Sequence, residues 1–93
     1  MIASFADRRT ARLYDGERVK GFPPELLKVA WRKLDMLNRA QTLEDLRIPP
    51  ANRLEALKGD LRGFHSIRVN DRWRLIFQWR DGNVEAVRLM DYH

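Results

Sequence analysis

The chain has 93 residues, no cysteine and a formal net charge of +5, and 44% of its residues are hydrophobic. This length predicts a single domain over residues 1–93, and the absence of cysteine excludes disulfides, thiolate catalysis and cysteine-ligated zinc. No apolar run reaches the roughly eighteen residues that a membrane span needs, and the N-terminus lacks a signal-peptide pattern. We therefore expect a cytoplasmic protein without membrane contact.

The N-terminal half predicts one short strand followed by two helices. "MIASF" has the composition of a strand, and "DRRTARLYDGERVKG" indicates a short helix that ends near Gly16. "PPELLKVAWRKLDMLNRA" gives the clearest helix, because Pro24 suits a first helical turn and apolar residues recur at helical spacing. "TLEDLRIPP" adds at most one further turn, with Thr42 as its N-cap. The apolar positions of the long helix are Leu27, Ala30, Leu34 and Leu37, and Leu26 and Trp31 widen this stripe.

The C-terminal half changes to the two-residue period of strands. "RLEAL", "FHSIRV", "RWRLIFQW" and "VEAVRLMDY" are four candidate strands, and the segments 58–60, 70–71 and 81–83 between them contain turn residues. On the longest strand, alternation predicts an apolar face towards the helices and an arginine-bearing face towards solvent or a ligand. The apolar set is Trp73, Leu75, Phe77 and Trp79, and the other set is Arg74, Ile76, Gln78 and Arg80.

With the three longest of these C-terminal strands counted, the elements predict an α+β fold with the order β-α-α-β-β-β, in which two helices pack on a small, mainly antiparallel, twisted sheet. Of the 18 basic residues, 14 are arginine, whose planar and permanently charged fork suits phosphate. The composition therefore indicates a surface that faces nucleic acid or the ribosome. A basic surface that only keeps the protein in solution is the alternative.

The residues able to do chemistry cluster late in the chain. Arg74 and Arg80 share one side of the predicted sheet, Lys58 follows the preceding strand, and the chain closes on "DYH" at 91–93. RNA cleavage by the 2′-hydroxyl needs a base, cations at the phosphate and an acid at the departing 5′ oxygen, and it needs no cofactor. His93 and Tyr92 are candidates for proton transfer, and Lys58 and Arg74 for charge stabilisation.

Each of these residues also has a structural interpretation. A terminal histidine is commonly just solvated, Tyr92 can cap the core, and the segment 58–60 can be a simple turn. For His65, inside a strand, we favour a structural role. The two histidines are not in metal-ligand spacing and the glycines are scattered, so we predict neither a metal site nor a cofactor.

The stretch "NRLEALKGDLRGFHSIRVNDRWRLIF" (52–77), its lead-in "LRIPPANRL" and the terminal "DYH" resemble the HigB toxins of bacterial toxin–antitoxin modules. These toxins belong to the RelE/ParE superfamily and are also called plasmid maintenance killer proteins. The resemblance covers nearly the whole chain, and the combination "LKGD…SIRVND.WR…DYH" is its specific part. It implies a RelE-like, microbial-ribonuclease-like fold and a ribosome-dependent mRNA endonuclease that cuts the codon in the A site and stops translation.

By the same resemblance, catalytic roles fall on Lys58, Arg74, Asp91, Tyr92 and His93, and Glu55 is a further catalytic candidate because a carboxylate can serve as a general base. RNA or ribosome contact is expected from Arg53, Arg62, Arg68, Arg72 and Arg80. The implied partners are a HigA-type helix-turn-helix antitoxin, the bacterial ribosome and mRNA, with operator DNA reached only through the antitoxin. The toxin free of antitoxin is expected to be a monomer.

Two positions depart from the pattern, because some members have histidine where this chain has Glu55 and arginine where it has Asn70. Both changes remove a cationic or proton-handling group, which predicts a milder toxin. Two alternatives stay open at this stage. One is a ParE-like toxin that inhibits gyrase, and the other is a weakly active or non-catalytic binder of the ribosome or of RNA.

Overall fold

The computed structural model describes residues 1–91 and contains two helices and one four-stranded sheet. The helices are α1 (Arg8–Tyr14) and α2 (Pro24–Arg39), and the strands are β1 (Glu55–Ala56), β2 (His65–Arg68), β3 (Trp73–Arg80) and β4 (Asn83–Asp91). The strands are ordered β1-β2-β3-β4 and each neighbouring pair is antiparallel. The predicted α+β class is confirmed, with two helices packed on a small, mainly antiparallel sheet. Neither helix within residues 1–91 could cross a membrane, being too short or too polar for that.

The first predicted strand is present only as a bridged segment. Ile2 and Phe5 form isolated parallel bridges with Val84 and Val87 of β4. Backbone hydrogen bonds of 2.7–3.1 Å, such as Ala3 N–H to the Val84 carbonyl (2.7 Å), accompany them. The N-terminal segment therefore extends the sheet beyond β4 and supplies its one parallel pairing among the described residues.

Both helices begin and end as their sequences suggest. The Asp7 side chain accepts from the backbone N–H of Thr10 (2.8 Å) and caps α1. Pro24 occupies the first turn of α2, whose face towards the sheet includes Leu26, Ala30, Leu34 and Leu37, all 0–1% exposed. The predicted turn after α2 is a 3₁₀ helix over Leu43–Arg47, with Thr42 and Asp45 forming a reciprocal capping box.

The predicted faces of β3 are confirmed. Leu75 and Phe77 are fully buried against the helices, and Trp73 and Trp79 pack at the margin of the same core. This helix-facing side is called the inner face, and the side of Arg74 and Ile76 is called the outer face. Ile76 is only 2% exposed, so the outer face includes a covered apolar position as well as charged ones.

A β-bulge in β4 keeps three of its apolar side chains on the inner face. Ile76 pairs with Arg88 and Gln78 with Glu85, so that Phe77 alone lies opposite two residues, Ala86 and Val87. Without the extra residue, strict alternation would place Val84 and Val87 on opposite faces. Both are fully buried, and Leu89 is 3% exposed.

The bulge requires a left-handed backbone at Ala86, where φ is +52°. This conformation strains an L-residue with a Cβ, whereas glycine adopts it freely. We therefore expect Ala86→Gly to raise the free energy of unfolding by about 1 kcal/mol. Urea denaturation measures this change. Ala11→Gly, in the interior of α1, is the matched control and should lower stability by a similar amount, about 1 kcal/mol. A loss of stability in both variants would contradict the assignment of strain to Ala86.

Candidate functional site

Arg74 is fixed on the outer face by two uncharged acceptors. Its Nε donates to the hydroxyl of Ser66 (2.8 Å), and its Nη2 donates to the backbone carbonyl of Arg53 (2.7 Å). Ser66 is fully buried on β2 and pairs with Ile76, the residue two positions beyond Arg74 on the same face of β3. A guanidinium is planar, permanently charged and carries five donors, which suits binding of a phosphate.

Glu55 and Lys58 lie together at the free edge of the sheet. They line a cleft of about 420 Å³ with Ala56 and Leu57, and both side chains are exposed. Glu55 pairs with Ser66, so its side chain shares the outer face with the hydroxyl that binds Arg74. Lys58 begins the 3₁₀ turn Gly59–Leu61, just after the strand. The fold thus places a carboxylate, an ammonium and the guanidinium of Arg74 on the outer face or at its edge.

The five arginines predicted to contact RNA fall into two groups. Arg68 binds Asp71, Arg72 binds Asp91 (2.7 Å), and Arg80 lies 3.9 Å from Glu85. Arg53 and Arg62 are exposed and form no ion pair within residues 1–91. An exposed ion pair is weak, but its carboxylate still offsets part of the arginine's charge. Arg53 and Arg62 therefore offer more of their positive charge to an external anion than the three paired arginines do.

Asp91 lies on the other side of the sheet from Arg74. It pairs with Trp73, whereas Arg74 pairs with Met90, so Asp91 shares the inner face with the indole. Trp73 packs edge-on against Phe22, with the ring centroids 5.5 Å apart. The carboxylate of Asp91 binds Arg72 at this margin. Tyr92 and His93, the two predicted proton-transfer residues, lie outside the described residues.

Sequence reasoning missed two groups that surround Arg74. Ser66 was not singled out, and Arg53 was predicted for its side chain although its carbonyl is the group that contacts Arg74. A signal for Ser66 was present, because it alternates with Arg68 on β2 and pairs across to β3. No sequence pattern indicates the Arg53 contact, which joins residues 21 positions apart.

His65 has the structural surroundings that its sequence position favoured. Its ring stacks on Phe77 with 6.1 Å between centroids, and its Nδ1 is buried without a hydrogen-bond partner among residues 1–91. Burial, and then the positive charge of Arg47, lower the pKa of His65 below its ordinary value. Within residues 1–91 no three His, Asp or Glu side chains are grouped to hold a metal ion.

The lowered pKa of His65 predicts a loss of stability in weak acid. The unfolded chain binds a proton near the ordinary histidine pKa of 6.5, before the folded chain does, so the free energy of unfolding falls as the pH drops below that value. His65→Gln should remove this dependence of the free energy of unfolding on pH. Urea midpoints at about pH 7.5 and about pH 5.5 measure it, a window above the titration of most carboxylates. If both proteins lose the same stability between these two pH values, groups other than His65 cause the loss.

The sequence is similar to that of known bacterial toxins. The model of the HigB-like toxin family, described as the RelE-like toxin of the type II toxin–antitoxin system HigB, matches residues 3–93. Toxin HigB-1 of Vibrio cholerae is 47% identical over 83 residues, covering 88% of this chain and 87% of the relative. Endoribonuclease HigB of Proteus vulgaris is 29% identical over 93 residues and covers both chains fully.

A solved structure gives the same result for the fold. A chain of the heterotetrameric YoeB–YefM toxin–antitoxin complex of Staphylococcus aureus superimposes with a TM-score of 0.62 at 18% identity, over 100% of this chain and 98% of the other. This likeness extends the agreement from sequence to architecture. The chain belongs to the HigB-like family of RelE-like toxins of type II toxin–antitoxin systems.

Proposed function

We propose that this toxin is a ribosome-dependent mRNA endonuclease, which cuts the codon in the A site and inhibits translation. The observation that carries the proposal is Arg74, a guanidinium fixed on the outer face between Ser66 and Arg53. A relative that this chain matches end to end bears the name endoribonuclease HigB. The ribosomal target implies a cytoplasmic protein.

The proposed reaction uses the RNA's own nucleophile and therefore needs no metal ion. A base removes the 2′-hydroxyl proton, the 2′ oxygen forms a bond to phosphorus, and the bond from phosphorus to the 5′ oxygen breaks. An acid delivers a proton to that 5′ oxygen, which leaves a 2′,3′-cyclic phosphate and a 5′-hydroxyl. In such a reaction, cations that meet the charge developing on the phosphate contribute much of the rate.

Roles follow from what each group can do. We assign charge stabilisation to Arg74 and Lys58, and proton transfer to Tyr92 and His93. For Asp91 we propose a part in holding the chain end, because its carboxylate binds Arg72. Contact with RNA or ribosome is proposed for Arg53, Arg62, Arg68, Arg72 and Arg80, which are all cationic at neutral pH.

Glu55 is the proposed cause of a milder activity. It occupies the cleft beside Lys58, where a carboxylate adds negative charge near the phosphate site. We expect Glu55→His to raise the single-turnover cleavage rate by about tenfold, since a positioned histidine is an efficient acid or base near neutral pH. Glu55→Gln is the control that removes only the negative charge. An unchanged rate in the histidine variant would refute the explanation.

The partner of a type II toxin is an antitoxin. For this chain we propose a HigA-type helix-turn-helix antitoxin, which would carry the complex to operator DNA, and a monomeric toxin in its absence. An acidic segment on the antitoxin would associate faster with a chain whose formal charge is +5. Size measurement of the purified toxin, alone and with its antitoxin, tests both statements.

Cleavage of a defined mRNA, with and without programmed bacterial ribosomes, tests the proposed activity directly. Cuts at the A-site codon that require ribosomes would support it. Cleavage of free RNA as well would retain the nuclease and remove the ribosome dependence. If neither reaction occurs while ribosomes still bind the toxin, the chain is a non-catalytic binder. If the toxin does not bind ribosomes and causes gyrase-dependent DNA damage, the ParE-like alternative is correct.

A further inference from the structure

Asn52 is a buried amide that ties the segment after α2 to the helix. It ends the turn Pro50–Asn52 and is 0% exposed. Its side-chain nitrogen donates to the carbonyls of Leu46 (3.1 Å) and Ile48 (3.5 Å), and its side-chain oxygen accepts from Nζ of Lys33. Since carbonyls only accept and an ammonium only donates, the amide has one satisfactory orientation. The backbone at Asn52 is therefore fixed from both sides.

Loss of the hydrogen bond between Asn52 and Lys33 would leave a buried ammonium without this acceptor. Lys33 lies on α2 at 6% exposure, and burial together with the charges of Arg32 and Arg68 lowers the pKa of its ammonium. A buried cation needs a hydrogen-bond acceptor, and Asn52 supplies one. The hydrogen bond between Lys33 and Asn52 thus joins α2 to the turn Pro50–Asn52.

Arg53 follows Asn52 in the chain, and its backbone carbonyl contacts Arg74. Its backbone is left-handed, with φ 46° and ψ 56°, and its N–H donates to the Pro50 carbonyl (3.0 Å). A non-glycine residue remains in this region only when its surroundings impose it. The conformation directs the Arg53 carbonyl to Nη2 of Arg74 at 2.7 Å. Ser66 holds Nε of the same guanidinium, so the two contacts together define its plane.

We propose that Asn52, held by Lys33, is a positioning residue that aims the Arg74 guanidinium through the left-handed carbonyl of Arg53. The inference rests on the proposed nuclease function, since it assigns Asn52 a part in presenting Arg74 to the scissile phosphate. Asn52 itself is buried and would not touch RNA.

Two variants at Arg53 isolate the backbone from the side chain. Arg53→Gly and Arg53→Val both remove the guanidinium, but glycine enters the left-handed region freely and β-branched valine does not. Both should weaken ribosome binding equally. In single-turnover cleavage at saturating ribosomes, Arg53→Val should be slower than Arg53→Gly by roughly 10- to 100-fold, the range expected when a reacting group is misplaced by about 1 Å. Equal saturating rates would overturn the proposal.

A double-mutant cycle tests Asn52 itself. Asn52→Ala should lower the saturating rate by a similar factor, roughly 10- to 100-fold, with little change in the half-saturating ribosome concentration. In an Arg74→Ala background the same substitution should have almost no further effect, because the group it positions is gone. Multiplicative effects would show that Asn52 acts by general stabilisation. If Asn52→Ala fails to fold, the Arg53 pair still decides the question.

A measurement independent of cleavage separates this inference from the proposed function. In nitrogen-15 NMR spectra of the full chain, the Arg74 side-chain signals should be slow in exchange and distinct, since Nε and Nη2 are both bound. Asn52→Ala and Arg53→Val should broaden or average them, and Arg53→Gly should not. Unchanged signals would refute the positioning role even if the toxin cleaves. Altered signals in an inactive toxin would support it and place the failure in the proposed function.

Discussion

A chain that ends after Asp91 is expected to lose cleavage by at least about 1000-fold, because it lacks both groups proposed to transfer protons. Removing Tyr92 and His93 retains each strand pair that the structure describes, including the pairing of Asp91 with Trp73. The urea midpoint of the shortened chain should therefore stay close to that of the full chain. Single-turnover cleavage on programmed ribosomes, measured beside the unfolding curve, separates activity from stability.

Two point variants divide the effect between the terminal residues. Tyr92→Phe removes one hydroxyl and His93→Gln removes the imidazole, and each should lower the rate by roughly 10²- to 10⁴-fold if it transfers a proton. If the shortened chain cleaves within tenfold of the full chain, proton transfer has to be assigned elsewhere and Glu55 becomes the first candidate.

Substitution of Arg74 by alanine should lower the saturating cleavage rate by roughly 10²- to 10³-fold, the usual effect of removing one fixed electrostatic donor. Arg74→Lys should recover little of this loss. A lysine presents a single ammonium, which cannot serve the Ser66 hydroxyl, the Arg53 carbonyl and a phosphate together. The cleavage rate is measured at saturating ribosomes, so that weaker ribosome binding is not mistaken for a slower chemical step.

Arg80→Ala is the matched control for Arg74→Ala, since both residues lie on β3 and Arg80 is exposed at its end. It should weaken ribosome binding a few-fold and leave the saturating rate nearly unchanged, as expected for a phosphate contact. Arg74→Ala also leaves two polar groups without their donor, which costs about 1–3 kcal/mol of stability, so cleavage is measured well below the unfolding temperature. Equal saturating rates for the two variants would remove Arg74 from the reaction.

The sequence predicted the elements that depend on local order. The helical spacing of α2, the two-residue period of β3 and the capping role of Thr42 all involve residues within a few positions of one another. Their physical signals are therefore contained in a short window, and the structure agrees with them. The arginine-rich face of β3 was predicted for the same reason.

Three features of the site could not be predicted in this way. The bulge at Ala86 and Val87 changes the face of every residue before it in β4, and only pairing with β3 reveals it. Asp91 lies on the inner face and Arg74 on the outer face, because strand register decides the face. The contact between Arg53 and Arg74 depends on a left-handed backbone that composition does not indicate.

By itself, then, the sequence determined the fold class, the two helices, the C-terminal strands, the family and the identity of the charged residues, because those follow from local periodicity, residue chemistry and motif. The tertiary structure alone decided which of these residues share a face and which way Arg74 is aimed. Strand register, the bulge and the buried link from Lys33 through Asn52 to Arg53 join segments that lie far apart in the chain. Such contacts arise from packing of the whole core, so no short stretch of sequence contains them.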